Sequence, residues 1–202
     1  WDHLVTVAAK QRYRAGTPVP IVVRLPSGGG FSGGPFHSQN PERSFAHIPG
    51  LKIVCPSTPE DAKGLLVSAI EDPNPVLYFE HKHLYRRIKA EVPDERYTTP
   101  IGEARIHREG DDVTVVTWGA MVYTADEAAS QLEDEGISVE IVDLRSILPW
   151  DKKAVLSSVE KTSKVLVLHE DTRTGGFGGE IVATITEEAF ESLDAPVRRI
   201  TA

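Results

Sequence analysis

Short apolar runs rich in β-branched residues alternate with longer amphipathic segments along most of this chain. The runs are nearly continuous in Val, Ile and Leu, which is typical of parallel strands covered on both faces. Strands that alternate with helices indicate βαβ units with right-handed crossovers, and therefore an α/β fold. The predicted strands are 19–24, 52–55, 76–79, 113–118, 139–144, 165–169 and 197–200.

Helix-end signals lie between these runs. Thr58 is a good N-cap residue, Pro59 suits the first helical position, and two acidic residues follow, so a helix is predicted from there to about Ile70. Gly136 is a good terminating residue for a helix that begins near Tyr123. Further helices are predicted at about 151–162 and 179–193.

A charged segment without clear periodicity interrupts the α/β pattern near the middle of the chain. Residues 89–103 contain Pro93 and Pro100 and carry several charged side chains, which is typical of an exposed linker. We therefore place a domain boundary near residue 95, which gives one domain at 1–94 and a second at 95–202.

Composition narrows the function classes. With 40% hydrophobic and 26% charged residues, the chain is an ordinary globular sequence. A net charge of −8 argues against a nucleic-acid or anionic-membrane surface. The single cysteine, Cys55, cannot form an internal disulfide, which suits a reducing compartment. No apolar run approaches the roughly 20 residues that span a bilayer.

The chain opens at Trp1 directly into a helix-like pattern and ends in a strand-like run at 197–201. Both ends look cut. We expect the chain to be part of a longer polypeptide, with some site residues on the remainder.

His37 is the leading candidate for chemistry. It follows a strand and a glycine-rich loop, and in α/β folds such a position at the carboxyl end of the sheet is where ligands bind. An imidazole there can transfer protons near neutral pH. Ser38 and Gln39 are expected to orient the ring, and His47 is a second polar group or a packing residue. The alternative is an ordinary surface-loop histidine.

The glycine run before His37 contains Gly-x-Ser-x-Gly at 30–34, formally the nucleophile elbow of hydrolases. That motif requires a helix directly after the serine, whereas Pro35 and polar residues follow Ser32 here. We favour a flexible turn, or a close approach of the backbone to a ligand or partner chain. A hydrolase that uses Ser32 is the weaker alternative.

Three other polar segments each have a functional and a structural interpretation. His81 and His83 are spaced to ligate a metal, but a polar strand exit is favoured because no third ligand is near. Residues 72–75 offer carboxylate and amide oxygens to a cation, or form a turn. The glycine loop at 175–179 cradles an anion before a helix, or forms a tight turn at a subunit interface, which we favour.

Taken together, the motifs resemble the beta subunit of thiamine-diphosphate-dependent 2-oxoacid dehydrogenases over essentially the whole chain. The combination favours the branched-chain type, although the segment 56–66 is shared with bacterial pyruvate dehydrogenase beta subunits. The matching segments are 36–42, 45–54, 61–66, 71–75, 84–86, 117–119, 142–145, 149–151, 169–170 and 174–177.

This resemblance implies an architecture and a set of partners. The fold would be the later half of a pyrimidine-binding domain followed by a transketolase C-terminal-type α/β/α domain. The enzyme would be an α2β2 heterotetramer that works with a lipoyl acyltransferase core. Thiamine diphosphate would lie between subunits, with its diphosphate and Mg²⁺ held mainly by the alpha subunit. Nothing in the chain matches the glutamate that activates this cofactor, so activity would require the alpha subunit and the missing N-terminal part.

The resemblance also implies site residues. His37 matches the histidine that transfers protons during decarboxylation of 2-oxoacids and reductive acylation of the lipoyl group. A K⁺ site matches a set of backbone and side-chain oxygens from Val19, Ile21, Ala69, Asp72 and Asn74.

The alternative functions are a pyruvate dehydrogenase beta subunit and a folded but inactive assembly or docking fragment. The expected location is the cytoplasm in a bacterium and the mitochondrial matrix in a eukaryote.

Overall fold

The computed structural model describes residues 1–30 and 32–202. It divides into two compact units, one formed by residues 1–102 and 145–149 and the other by residues 103–144 and 150–202. The second unit is therefore interrupted by a short segment that belongs to the first. The domain boundary near residue 95 stays a prediction.

Nine strands and six α-helices make up the regular structure of the described residues. The strands are β1 (Val22–Ser27), β2 (Lys52–Val54), β3 (Val76–His81), β4 (Arg105–Arg108), β5 (Val113–Thr117), β6 (Val139–Asp143), β7 (Ser146–Leu148), β8 (Val165–Leu168) and β9 (Arg198–Ile200). The helices are α1 (Ala9–Ala15), α2 (Arg43–Ala46), α3 (Pro59–Glu71), α4 (Met121–Glu133), α5 (Lys152–Thr162) and α6 (Gly178–Glu188). A π-helical turn at His3–Ala8 precedes α1, and 3₁₀ turns lie at Lys82–Leu84 and Phe190–Ser192.

The first unit contains a four-stranded sheet in the order β1-β3-β2-β7. The first three of these strands are parallel, and β7 pairs with β2 in the antiparallel direction. Helix α3 packs Leu65 and Ala69 against Val54, Val76 and Tyr78 of the sheet. Its N-terminus is as predicted, since the Thr58 side chain accepts a hydrogen bond from the Asp61 amide and Pro59 is the first helical residue.

The second unit contains a five-stranded sheet in the order β4-β6-β5-β8-β9. Strands β5, β6, β8 and β9 are parallel, and only the edge strand β4 is antiparallel. Val115, Ile141 and Leu168 of the sheet form a buried core with Ala125 and Ala129 of α4. The carboxyl ends of the parallel strands therefore meet at one edge of this sheet.

The α/β fold predicted from the hydrophobic pattern is confirmed, with corrections at several element ends. The sequence predicts a first strand at 19–24, but β1 begins at Val22, because Pro20 has no N–H and the Ile21 N–H donates back to the Val19 carbonyl. The sequence predicts a last helix that reaches residue 193, but α6 ends at Glu188 because Ala189 leaves the helical region (φ −136°).

No helix among residues 1–30 and 32–202 combines the length and apolar character needed to cross a membrane.

Candidate active site

His37 lies in the loop that follows β1, in the first unit. Its side chain is exposed, and its amide donates to the Gly34 carbonyl at 3.2 Å. Its own carbonyl accepts a hydrogen bond from Lys82 Nζ. Among the described residues, neither Ser38 nor Gln39 hydrogen-bonds to the ring, so the expected orientation of the imidazole by these neighbours is not seen. The contact that fixes this residue is instead made to its backbone.

The loop that carries His37 is anchored at both ends. The Gly28 amide donates to the Gln39 carbonyl at 2.9 Å, which closes the loop at its base. Beyond the loop, Asn40 and Glu42 are 8% and 5% exposed, so the chain re-enters the protein interior before α2. His47, at the end of α2, is exposed and is not a packing residue. The His37 imidazole is therefore exposed on a loop whose base is closed by a backbone hydrogen bond.

The carboxyl end of β3 faces this loop. His81 is the last residue of β3 and His83 follows in a 3₁₀ turn, with their ring centroids 6.2 Å apart in an edge-on arrangement. His83 Nδ1 lies 3.1 Å from the Gly30 carbonyl oxygen. Within residues 1–30 and 32–202, no group of three or more His, Cys, Asp or Glu side chains could hold a metal ion. The two histidines contact the glycine loop, and their role as a polar strand exit stays a prediction.

The hydrolase alternative depends on a strand, a sharp turn at Ser32 and a following helix. Phe31, inside the Gly-x-Ser-x-Gly motif, lies outside the described residues. Ser32 is exposed with φ of +61°, and residues 35–37 form a turn. The next helix, α2, begins only at Arg43. The described residues around the motif thus lack the helix that a nucleophile elbow requires.

A cavity of about 230 Å³ opens beside the same strand ends. Apolar groups such as Leu84 and Ile88 line most of it, and the Glu80 carboxylate lies on its rim. Arg24 binds that carboxylate with both Nε (3.1 Å) and Nη2 (2.5 Å). Burial, and then the charge of Glu80, raise the pKa of the Tyr85 hydroxyl. Tyr85 therefore stays protonated, and the charged groups at this rim are already paired.

The residues predicted to bind K⁺ come from the segment just before β1 and from the C-terminal end of α3. Val19 donates its N–H to the Pro73 carbonyl at 2.9 Å, which brings the two parts of the set together. The Val19 and Ile21 carbonyls each accept one backbone N–H, so each keeps a second lone pair. Ala69 is buried at 1% exposure.

Asp72 and Asn74 complete this set, and they bind each other. Asp72 Oδ1 accepts from the backbone and side-chain amides of Asn74 at 2.8 and 2.9 Å, and its Oδ2 accepts from Lys52 Nζ. Burial raises the pKa of this carboxyl, but the hydrogen bonds from Lys52 and Asn74 outweigh burial and hold it below its usual value. Lys52 therefore already neutralises the Asp72 carboxylate, and K⁺ binding by this set of residues stays a prediction.

A separate polar group lies at the carboxyl edge of the second sheet, after β8. His169 is 1% exposed, stacks on Trp118 with ring centroids 5.2 Å apart, and has neither ring nitrogen hydrogen-bonded among the described residues. Burial lowers the pKa of this imidazole. The charge of Asp171 raises the pKa, and the charge of Arg199 lowers it further.

The glycine loop before α6 makes room for this ring, because a Cβ on Gly176 or Gly178 would lie 2.7 or 2.6 Å from His169 ring atoms. These glycines have a packing role that neither interpretation of the loop predicted.

Comparison with known proteins defines the class. Residues 102–202 match the transketolase C-terminal domain, and residues 5–88 match the transketolase pyrimidine-binding domain. The chain therefore belongs to the transketolase domain family, with a pyrimidine-binding segment followed by the C-terminal domain.

Individual relatives show which members of this family the chain is similar to. The chain is 51% identical over 201 residues to the 2-oxoisovalerate dehydrogenase subunit beta of Bacillus subtilis, in an alignment that covers 98% of this chain and 62% of that protein. It is 48% identical over 203 residues to the mitochondrial 2-oxoisovalerate dehydrogenase subunit beta 2 of Arabidopsis thaliana, with coverage of 99% and 57%. It is 44% identical over 204 residues to a pyruvate dehydrogenase E1 component subunit beta of Staphylococcus aureus, with coverage of 100% and 63%.

A solved structure supports the same family. The structure of a split gene transketolase, described as an inactive beta4 tetramer, matches 90% of this chain and 56% of its own chain with a TM-score of 0.72 and 26% identity. The chain spans less than two thirds of the length of the curated relatives it matches. The relationship to 2-oxoacid dehydrogenase beta subunits that the motifs indicated is thus confirmed.

Proposed function

We propose that this chain forms part of the beta subunit of a branched-chain 2-oxoacid dehydrogenase. Its reaction would be the thiamine-diphosphate-dependent oxidative decarboxylation of 2-oxoacids with reductive acylation of a lipoyl domain. The supporting observation is the exposed His37 on an anchored loop at the carboxyl end of a parallel sheet, in a chain 51% identical to a 2-oxoisovalerate dehydrogenase subunit beta.

In this proposal the chain supplies only part of the chemistry at the cofactor. Bound thiamine diphosphate supplies the carbanion chemistry that decarboxylation requires. This chain would supply the His37 imidazole beside the reacting atoms, where it delivers and removes protons near neutral pH. We further propose that the alpha subunit holds Mg²⁺ and the diphosphate, as the resemblance to 2-oxoacid dehydrogenase beta subunits implies.

The partners follow from the same proposal. The complex would be an α2β2 heterotetramer bound to a lipoyl acyltransferase core, in the cytoplasm of a bacterium or the mitochondrial matrix of a eukaryote. We also propose K⁺ binding by Val19, Ile21, Ala69, Asp72 and Asn74. Potassium should then raise the melting temperature of the protein more than sodium does at equal ionic strength, and equal melting temperatures in the two salts would contradict this site.

Substrate turnover by the natural complex that contains this chain tests the function. We expect CO₂ release from 2-oxoisovalerate to exceed that from pyruvate in kcat/KM, because the most similar relatives named above act in 2-oxoisovalerate dehydrogenases. A preference for pyruvate would favour the pyruvate dehydrogenase alternative, which the Staphylococcus aureus relative motivates. No release from either substrate would contradict the proposal and favour an assembly or docking fragment.

A further inference from the structure

Two chain segments meet at the carboxyl ends of β1 and β3. These strands are adjacent and parallel, and Ser27, the last residue of β1, pairs in register with His81, the last residue of β3. The glycine loop continues from one strand end, and the 3₁₀ turn at Lys82–Leu84 continues from the other. The topology therefore places the segment 81–83 directly beside the loop that carries His37.

Polar contacts join these two segments. Lys82 Nζ donates to the carbonyl oxygen of His37 itself, and His83 Nδ1 lies 3.1 Å from the Gly30 carbonyl oxygen. The hydrogen bond from the Gly28 N–H to the Gln39 carbonyl closes the base of the loop, so the contacts at Gly30 and His37 both lie inside the closed loop. The Lys82 contact carries a full positive charge on the donor, and charge-assisted hydrogen bonds are stronger than neutral ones.

Close packing reinforces the polar contacts. A Cβ on Gly28 would lie 2.1 Å from His81 Nε2, and a Cβ on Gly30 would lie 2.6 Å from His83 Nδ1. Both glycines have positive φ angles, +82° and +76°, which L-residues rarely adopt. The histidine rings thus occupy the space that side chains on the loop would need, and the loop backbone lies directly on them.

We propose that Lys82 is a positioning residue for His37. It holds the peptide of His37 and thereby fixes where the imidazole projects, while His81 and His83 support the glycine end of the same loop. This inference rests on the proposed function, since it assigns His37 a proton-transfer role. The ring itself has no hydrogen-bond partner among the described residues, so its position depends on the backbone that Lys82 binds.

Lys82→Met in the natural complex is the first test. Misplacement of a reacting group by about 1 Å can cost on the order of a hundredfold in rate. We expect kcat for 2-oxoacid decarboxylation to fall at least about tenfold, with KM changed by less than about twofold, because substrate binding is not altered. Lys82→Arg keeps a charged donor and should recover most of the loss. Lys89→Met removes a charge from an exposed residue of the following segment and serves as the matched control.

Amide hydrogen exchange in the same proteins separates this inference from the proposed function. The Gly28 and His37 amides are hydrogen-bonded within the loop, so Lys82→Met should accelerate their exchange by about tenfold, whereas Lys89→Met should not. Lys82→Gln, which keeps a polar side chain, replaces Lys82→Met if that variant does not fold.

Unchanged exchange, or accelerated exchange with unchanged kcat, overturns the positioning role. If the wild-type complex does not decarboxylate 2-oxoacids, the proposed function fails, and the exchange data alone decide whether Lys82 holds the loop.

Discussion

Arg145 and Asp61 form a buried ion pair in the first unit, although they lie 84 positions apart in the chain. Their side chains are 12% and 3% exposed, and Arg145 Nη1 lies 3.0 Å from Asp61 Oδ1. Asp61 lies in the first turn of α3, so Arg145 ties that helix to the segment that leads into β7.

Replacing Arg145 with methionine should lower the free energy of unfolding by about 3 kcal/mol, because it leaves the Asp61 carboxylate buried without this cation. Denaturant titration of the wild type and the variant measures this difference. Lys152→Ala is the matched control, because Lys152 and its partner Glu188 are both about half exposed. This substitution should lower the free energy of unfolding by less than about 1 kcal/mol. Equal small losses for both variants would contradict the account of this pair.

His169 predicts a pH dependence in the second unit. Burial lowers the pKa of its imidazole in the folded state, whereas in the unfolded chain the value is about 6.5. Below pH 6.5 the unfolded state therefore binds a proton on this histidine more readily than the folded state does. The free energy of unfolding consequently decreases as the pH falls below 6.5.

An NMR titration of the His169 ring measures this directly. We expect its protonation midpoint below 6.5, because Trp118 stacks on the ring and water does not reach it. A midpoint at or above 6.5 would show that the charge of Asp171, which raises the pKa, outweighs burial.

At the scale of elements, hydrophobic pattern and end signals located most of the fold. Residues 76–79 of β3 are a continuous apolar run, β5 is rich in valine, and Thr58 and Pro59 marked the start of α3. Strands β4 and β7 were missed. The first is an edge strand with two arginines and a histidine, and the second has only three residues, so each forms through pairing with a neighbouring strand that local pattern does not reveal.

Two glycines at the start of α6 test whether the His169 ring packs tightly against this helix. A Cβ on Gly178 would lie 2.6 Å from His169 ring atoms, whereas the nearest described atom to a Cβ on Gly179 would be Arg199 Nη1, at 3.4 Å. Gly178→Ala should therefore cost about 1–3 kcal/mol through overpacking. Gly179→Ala should be neutral or slightly stabilising because alanine favours helix.

Thermal unfolding of these two variants checks the comparison. Equal effects would show that His169 moves aside easily and that the ring is not tightly held by the glycine loop.

At the scale of the whole molecule, the sequence was informative about the candidate site but incomplete. His37 could be proposed as a site residue because a histidine after a strand and a glycine loop is an unusual local signal. The proposed positioning role of Lys82 could not be predicted from the sequence, because its contact with the His37 carbonyl joins residues 45 positions apart and its side chain belongs to no motif. The pairing of β1 with β3 brings them together, so only knowledge of strand order reveals the contact.

The central claim is that His37 transfers protons in 2-oxoacid decarboxylation. The most direct measurement is the rate of 2-oxoisovalerate decarboxylation by the natural complex with His37→Asn, compared with wild type and with His3→Asn, an exposed histidine remote in sequence. Loss of an acid–base group should lower kcat by about 10²–10⁴-fold while the complex still assembles, and His3→Asn should not change it. Wild-type turnover in an assembled His37→Asn complex would contradict the account.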